Sequence, residues 1–385
     1  MPQVLKLMAP GPTPLPDRVR AALARPAVHH RGADFKACLG RVETKLQQVF
    51  RTTGEVLLLT SSGTGAMEAA VCNLLSRGDA AVYVNGGKFG ERWGQILAAW
   101  GCRGIEISVP WGEPVTAGAV RATLAAHPEA RAVFVQACET STATAHPIEA
   151  VAAACRELDG QGAGDVLCVV DGITAVGVAP MEMDGWGIDV LISGSQKAFM
   201  LPPGLAFVSL SERAWRACDA SDLPKFYFDL RAERRGLAHR ATAFTPASAL
   251  VIALEEALEM MLDEGMEPLW RRHARLAAAT RAGVVALGMT LLSSAPSAAV
   301  TGCVPPPGVD AGALRSGLLD RHAIVVAGGQ DHLAGRLLRV GHLGDCHEAD
   351  VLSVVAALEI ELRRLGATVP ADTGVAAAAA SFAGL

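Results

Sequence analysis

Several familiar signatures are missing from this chain. The nine cysteines (38, 72, 102, 138, 155, 168, 218, 303 and 346) include no CxxC pair and are odd in number. That speaks against a disulfide framework, and reduced thiols in a cytoplasmic protein fit best. No block of lysine or arginine is long enough to track a phosphate backbone, and the formal net charge is -5, so nucleic acid is not an expected partner. The most apolar long stretch, residues 282 to 300, is broken by Gly283, Gly288, Ser293, Ser294 and Pro296. It reads as a helix, a turn and a strand, and no membrane association is expected. The opening "MPQVLKLMAPGPTPLPDRVR" has no basic leader before an apolar core, and its prolines oppose a signal helix.

What is present is core-forming material. Hydrophobic residues make up 51% of 385 residues and charged ones 19%, enough for two lobes with a large shared interior. Residues 1–20 read as a proline-punctuated arm, of the kind that commonly lies across a neighbouring subunit, running into a short helix over 16–26. Strands are predicted at 55–60, 80–85, 102–109, 131–137, 166–171, 189–193 and 205–210, most of them separated by helices of ten to fifteen residues. Such alternation predicts an α/β fold whose mainly parallel sheet is covered by helices on both faces. After long helices at 247–263 and about 267–287 the pattern changes to short strands near 289–293, 298–304, 323–327 and 336–341, with helices near 310–320 and 347–364. The expected organisation is an arm (1–20), a large domain (21–260), a smaller α+β domain (261–365) and an alanine-rich tail (366–385), frayed or packed on a partner.

Three features fall just past strands, where open α/β sheets place their ligand sites. In "TSSGTGAMEAA" (60–70) a strand runs through small residues into a helix, an arrangement that aims free N–H groups and the positive helix end at an anion. A plain strand-to-helix turn reads equally well. Asp171 ends the apolar run "VLCVVD" and is either a desolvated carboxylate facing a cation or a cap to the next turn. Lys197, in "ISGSQKAFMLPPGL", lies 26 residues further on, one strand–helix–strand unit away. It is a surface charge or an amine that does chemistry. A phosphate cradle, a buried carboxylate and a buried lysine on one sheet edge form the set that pyridoxal 5'-phosphate (PLP) requires.

The blocks "SSGTGAMEAA", "VVDGITAVG", "SGSQKAFMLPPGL" and "LLRVGHLG", in this order and spacing, resemble class V, fold-type I PLP enzymes of the alanine:glyoxylate and serine:pyruvate aminotransferase branch. The resemblance runs from "APGPTPLPDRV" (9–19) to "RVGHLG" (339–344). It implies that Lys197 is the catalytic, imine-forming lysine and Asp171 the partner of the pyridine nitrogen. Ser62, Gly63 and Thr64 would form the phosphate loop, with Gln196 a further phosphate contact. Phe89 would stack on the ring where relatives commonly carry Trp or Tyr, Thr140 would sit by the ring hydroxyl, Ile173 would pack on the other ring face, and Arg339 would grip the substrate carboxylate. It also implies a homodimer that passes an amino group from alanine or serine to glyoxylate or pyruvate.

The chain departs from that branch in two places. A tyrosine and a threonine that reach the neighbouring subunit's cofactor are replaced by Ala241 and Phe244 in "ATAFTP". The C-terminal half also resembles pyridoxamine:pyruvate aminotransferase, but Gln330 stands where that relative has an arginine. A PLP lyase such as a cysteine desulfurase needs a reactive cysteine before the carboxylate arginine, and residues 327–338 hold none. No metal is expected: "GHLGDCHEAD" (341–350) reads as a helix start capped by Asp345, with Glu348 three residues on.

Overall fold

A computed structural model describes residues 5–157, 159 and 165–384. Seven strands build the main sheet: β1 (Val56–Leu59), β2 (Ala80–Asn85), β3 (Arg103–Ser108), β4 (Ala130–Gln136), β5 (Leu167–Asp171), β6 (Val190–Gly194) and β7 (Ala206–Leu210). Their spatial order is β1-β7-β6-β5-β4-β2-β3. Only β7 runs against the others, pairing antiparallel with both β1 and β6. The expected mainly parallel sheet is therefore mixed by one strand. The strands β5, β6 and β7 are buried along their whole length, as continuous Val/Leu/Ile runs covered on both faces must be.

Helix Ala33–Phe50 shows how the covering layer is written. Phe35, Leu39, Val42, Leu46, Val49 and Phe50 recur at helical spacing and are buried, while the opposite face is charged. It packs on helix Ser248–Glu264. The apolar interior forms one large cluster running from Val19 to Trp270 and a second containing Met8 and residues from Leu276 to Ala378. Helix Met266–Ala286 supplies both, Leu269 to the first and Leu276 to the second. The second cluster lies under a four-stranded sheet in the order Thr290–Leu291, Val300–Val304, Leu338–Gly341, Ala327–Gly328. A small apolar contact among Ala143, Ala198, Val300 and Leu343 sets that sheet against the end of the main one.

Three local expectations need correction. The arm folds onto its own chain: Lys6 and Leu7 pair in parallel with Ile324 and Val325, and Met8 enters the second core. Lys6 and Leu7 form a two-residue strand, followed by buried Met8, that the prolines downstream obscure in the sequence. The alanine-rich end is a helix, Thr373–Ala383, packed on helix Met266–Ala286 in the same chain. Alanine has the highest helix propensity and lets backbones approach closely, so the segment docks instead of fraying. Finally, the cap of helix Glu348–Arg364 falls two residues later than expected. Asp350 accepts a hydrogen bond from the His347 N–H (2.9 Å), and Asp345 pairs with the His347 imidazole instead (3.2 Å).

Candidate active site

The carboxyl ends of β1, β2, β4, β5 and β6 open on one side of the main sheet, and all ten residues singled out from the sequence gather there, nine from loops and strand ends of the main sheet and Arg339 from the smaller one. Helix Gly63–Leu74 begins directly after β1; Ser62 is its extended first residue, and its hydroxyl does not cap the helix. Free N–H groups therefore point from the first turn. Gly63 permits this: a Cβ there would come within 2.3 Å of Ile173 Cδ1. Thr64 Oγ1 accepts a hydrogen bond from Arg92 (3.0 Å), whose guanidinium lies 4.9 Å from the centre of the Phe89 ring.

Asp171, 5% exposed, ends β5 and accepts the Ile173 N–H (2.8 Å). Burial pushes its carboxyl up to about 6; Glu139 adds to the rise, while the Ile173 N–H, Arg92 and Lys197 oppose it. Lys197 follows β6 by three residues. Burial pulls its ammonium down to about 8 against the attraction of Cys138 and Asp171, and Arg339 pushes in the same direction as burial. Its Nζ donates to the Pro10 carbonyl of the arm, and Thr13 of the arm donates from Oγ1 to the Lys197 carbonyl (2.9 Å) and from its N–H to the Gln196 carbonyl (3.2 Å). The Gln196 side-chain oxygen is buried without a hydrogen-bond partner.

Thr140 Oγ1 donates to Thr174 Oγ1 (3.1 Å), and the Thr140 carbonyl accepts from Arg339 Nη1 (2.9 Å). Arg339, 8% exposed, also donates from Nε to the Gly328 carbonyl (2.9 Å), which leaves one terminal nitrogen of the fork without an acceptor among the described residues. Glu139 is fully buried beside this group, and burial raises its carboxyl. Among the described residues no salt bridge reaches Lys197, Asp171, Glu139 or Arg339; their charges act on one another through space.

Sequence reasoning missed Arg92, Glu139 and the arm residues Pro10 and Thr13. Arg92 and Glu139 lie inside the blocks "GGKFGER" and "CETSTAT", next to residues that were singled out. A charge embedded among small residues at a strand end was the available signal. The departures are also visible. Phe244 clusters with Phe226 and Tyr227, at ring distances of 5.5 and 5.0 Å, on an exposed patch, and Thr242 turns its hydroxyl onto the Phe244 carbonyl (2.6 Å). Tyr227 reaches the carbonyl of Thr60 beside the first strand end (3.4 Å).

A seven-stranded sheet in this order, with a lysine and a carboxylate on neighbouring strand ends and a smaller α+β unit alongside, is the architecture of fold-type I PLP-dependent enzymes. The chain belongs to the class-V aminotransferase family, whose model matches residues 16–343. It is 44% identical to the small subunit of a soluble hydrogenase from Synechococcus sp., over 97% of both chains. It is 35% identical to L-aspartate–glyoxylate aminotransferase of Paracoccus denitrificans, over 97% of this chain and 94% of that one. Among solved structures, ureidoglycine–glyoxylate aminotransferase from Bacillus subtilis superposes with TM-score 0.93 at 27% identity, covering 100% of this chain and 99% of the other. Pyridoxamine–pyruvate aminotransferase from Mesorhizobium loti does so with TM-score 0.93 at 28% identity, covering 99% and 97%.

Proposed function

We propose that this protein is a homodimeric, cytoplasmic aminotransferase that uses PLP to move an amino group from a small amino acid, alanine or serine, to a small 2-oxo acid, glyoxylate or pyruvate. The observation that carries the reading is the pair Lys197 and Asp171, desolvated on adjacent strand ends without salt bridges among the described residues, with the uncapped start of helix Gly63–Leu74 against Ile173, two residues past Asp171.

The residues present fit the cofactor. A carboxylate raised to about 6 by burial gains from a protonated ring nitrogen beside it, which would restore its ionised form. The free N–H groups after Ser62, the Thr64 hydroxyl with Arg92 behind it, and the NH2 group of the Gln196 amide suit a phosphate. Phe89 and Ile173 offer apolar faces for a flat ring, and Thr140 a hydroxyl for its rim. When bound, PLP supplies an electron sink that acidifies the Cα–H of the amino acid.

The chain's own residues then do the rest. Arg339 holds the substrate carboxylate with the donors its Thr140 and Gly328 contacts leave over, which fixes Cα near Lys197. Lys197, with its ammonium lowered to about 8, has a substantial neutral fraction near physiological pH, so Nζ takes the Cα proton from the amino donor and returns one to the oxo acid. The two substrates use the same site in turn, a ping-pong scheme. The exposed aromatic patch, with Phe226 80% exposed, supports a second subunit seated there. Nine free, buried cysteines support a reducing compartment.

A half-reaction panel tests the reading. Purified protein with PLP is given alanine, serine, aspartate and pyridoxamine one at a time, and conversion of the cofactor to its amine form is followed by absorbance. Alanine or serine is expected to convert it and glyoxylate or pyruvate to reverse the change. Aspartate and serine are donors in the names of relatives, so conversion by aspartate alone moves the donor to a dicarboxylate. Elimination products without conversion would make the protein a lyase, and conversion by pyridoxamine alone would move the substrate away from amino acids.

A further inference from the structure

We propose that Glu139 is a positioning residue: from inside the protein it fixes the start of helix Lys88–Ala99, and with it Phe89, relative to the arginine that holds the substrate. The inference rests on the reading of Phe89 as the ring-stacking residue.

Helix Lys88–Ala99 has no side-chain cap of its own, because its first position is Gly87. Its leading N–H groups are taken instead by the loop after β4. Glu139 Oε2 accepts from the Phe89 N–H (3.1 Å) and the Gly90 N–H (2.9 Å), and Ser141 Oγ accepts from the Lys88 N–H (3.1 Å). Glu139 Oε1 in turn accepts from the Ser141 N–H (3.1 Å) and hydroxyl (2.5 Å), and Gln136 donates to Oε2 (3.1 Å). Gly87 is required by this approach, since a Cβ there would lie 2.6 Å from Glu139 Cδ and 2.4 Å from Ser141 Oγ.

The usual local cap, a serine or aspartate at the first position, therefore has no room at position 87. The chain instead uses an acid on the turn whose middle residue, Thr140, gives its carbonyl to Arg339 (2.9 Å). Three consecutive residues, 139 to 141, thereby reach the helix that carries Phe89 on one side and the carboxylate-gripping arginine on the other. A rigid turn of this kind holds the ring face and the substrate clamp at a constant separation. The negative charge also lies at the positive end of the helix, which strengthens the hold.

The test is a double-mutant cycle on Glu139→Gln and Phe89→Ala. Four proteins are titrated with PLP from the cofactor-free state, and the induced circular dichroism of the bound cofactor and the melting of the cofactor-free protein are recorded. Glu139→Gln is expected to weaken PLP binding about tenfold, to change the dichroism, and to raise the KM of the amino donor more than it lowers kcat. In the Phe89→Ala background it is expected to add nothing further to the loss of affinity. Additive effects, or a lowered melting temperature with affinity and dichroism unchanged, would make Glu139 a purely structural cap and overturn the proposal. If Phe89→Ala alone leaves affinity and dichroism untouched, the stacking reading fails and the proposal with it; if Phe89→Ala matters and Glu139→Gln does not, only the proposal fails. Should Glu139→Gln not fold, Ser141→Ala removes one link of the same turn. It is expected to weaken PLP binding about threefold, and an unchanged affinity overturns the proposal equally.

Discussion

On helix Ser248–Glu264, acids meet cations; at the end of the main sheet, they do not. Glu256 takes Arg18 (3.2 Å) and Arg25 (2.6 Å), Glu259 takes Arg18 (3.2 Å) and Lys45 (2.6 Å), and Glu255 takes Arg41 and Lys45. These pairs tie helix Asp17–Leu23 with the following Arg25, and helix Ala33–Phe50, to helix Ser248–Glu264, and the cation partners Arg18, Arg25 and Arg41 stand about half in solvent. At the sheet end Asp171, Glu139 and Arg339 are buried and Lys197 is half-buried and desolvated, and none makes a salt bridge among the described residues. The first arrangement satisfies its charges and gains little, since exposed pairs contribute about 0–1 kcal/mol. The second holds charges at a cost that a bound ligand can relieve. Stability left unclaimed in one small region, in a fold that satisfies charges elsewhere, marks the place where chemistry is done.

Four experiments sharpen or break this contrast. The largest effect is expected from Lys197→Met. Turnover should fall on the order of a thousandfold or more, while the cofactor-free protein should become more stable at neutral pH. The sign follows from burial: the folded-state value near 8 lies below the ordinary 10.5, so the charged amine costs stability below pH 8, and the cost fades as pH rises from 8 towards 10.5. At pH 7 the gain is about 3 kcal/mol, read by denaturant unfolding. An unstable cofactor-free variant would show that the amine is already satisfied by Pro10.

Asp171→Asn comes next. Turnover should drop by about a hundredfold, as expected when the group that holds a proton on the ring is lost. The cofactor-free variant should again be more stable than the parent above pH 6, where the native carboxylate is ionised and buried. That advantage should vanish as pH falls from about 6 to 3.8, because the parent's carboxyl becomes neutral in both states. An advantage that persists unchanged at pH 4 would remove desolvation as its cause.

Arg339→Lys should raise the KM of the amino donor about tenfold or more, because an ammonium cannot make the forked contact while also holding the Thr140 and Gly328 carbonyls. Steady-state kinetics with alanine or serine would show it. The smallest effect belongs to the surface: Glu256→Gln should cost less than about 1 kcal/mol, lose even that in high salt, and leave turnover unchanged. A loss of activity there would mean that the arm's anchorage reaches the site.

How much of this was legible in the sequence depends on what kind of signal each residue leaves. The run "VLCVVD" announces both a doubly covered strand and the acid at its end, and Lys197 stands out because small residues and prolines surround it. The direction of β7 left no trace, because "LAFVSL" has the same apolar pattern whichever way it runs. Arg92 and Glu139 escaped because charges at helix starts and in loops normally face solvent, and only the fold turns them inward. The arm's contacts escaped because Pro10 acts through its backbone carbonyl, which every residue possesses. Side-chain chemistry is written in the letters, whereas backbone chemistry depends on where the chain goes.

The strand Lys6–Leu7, paired with Ile324–Val325, has a consequence for how the polypeptide is made. A fragment cut near residue 260 would lack this strand and Met8, so the smaller unit expressed alone would lose one of its own pieces. During synthesis Lys6–Leu7 must also wait for more than three hundred residues before its neighbour emerges. Closing so long a loop is slow relative to local contacts. The segment that meets Lys197 is thus translated long before its partner strand and settles only after it, so Lys197 gains its Pro10 contact late in folding.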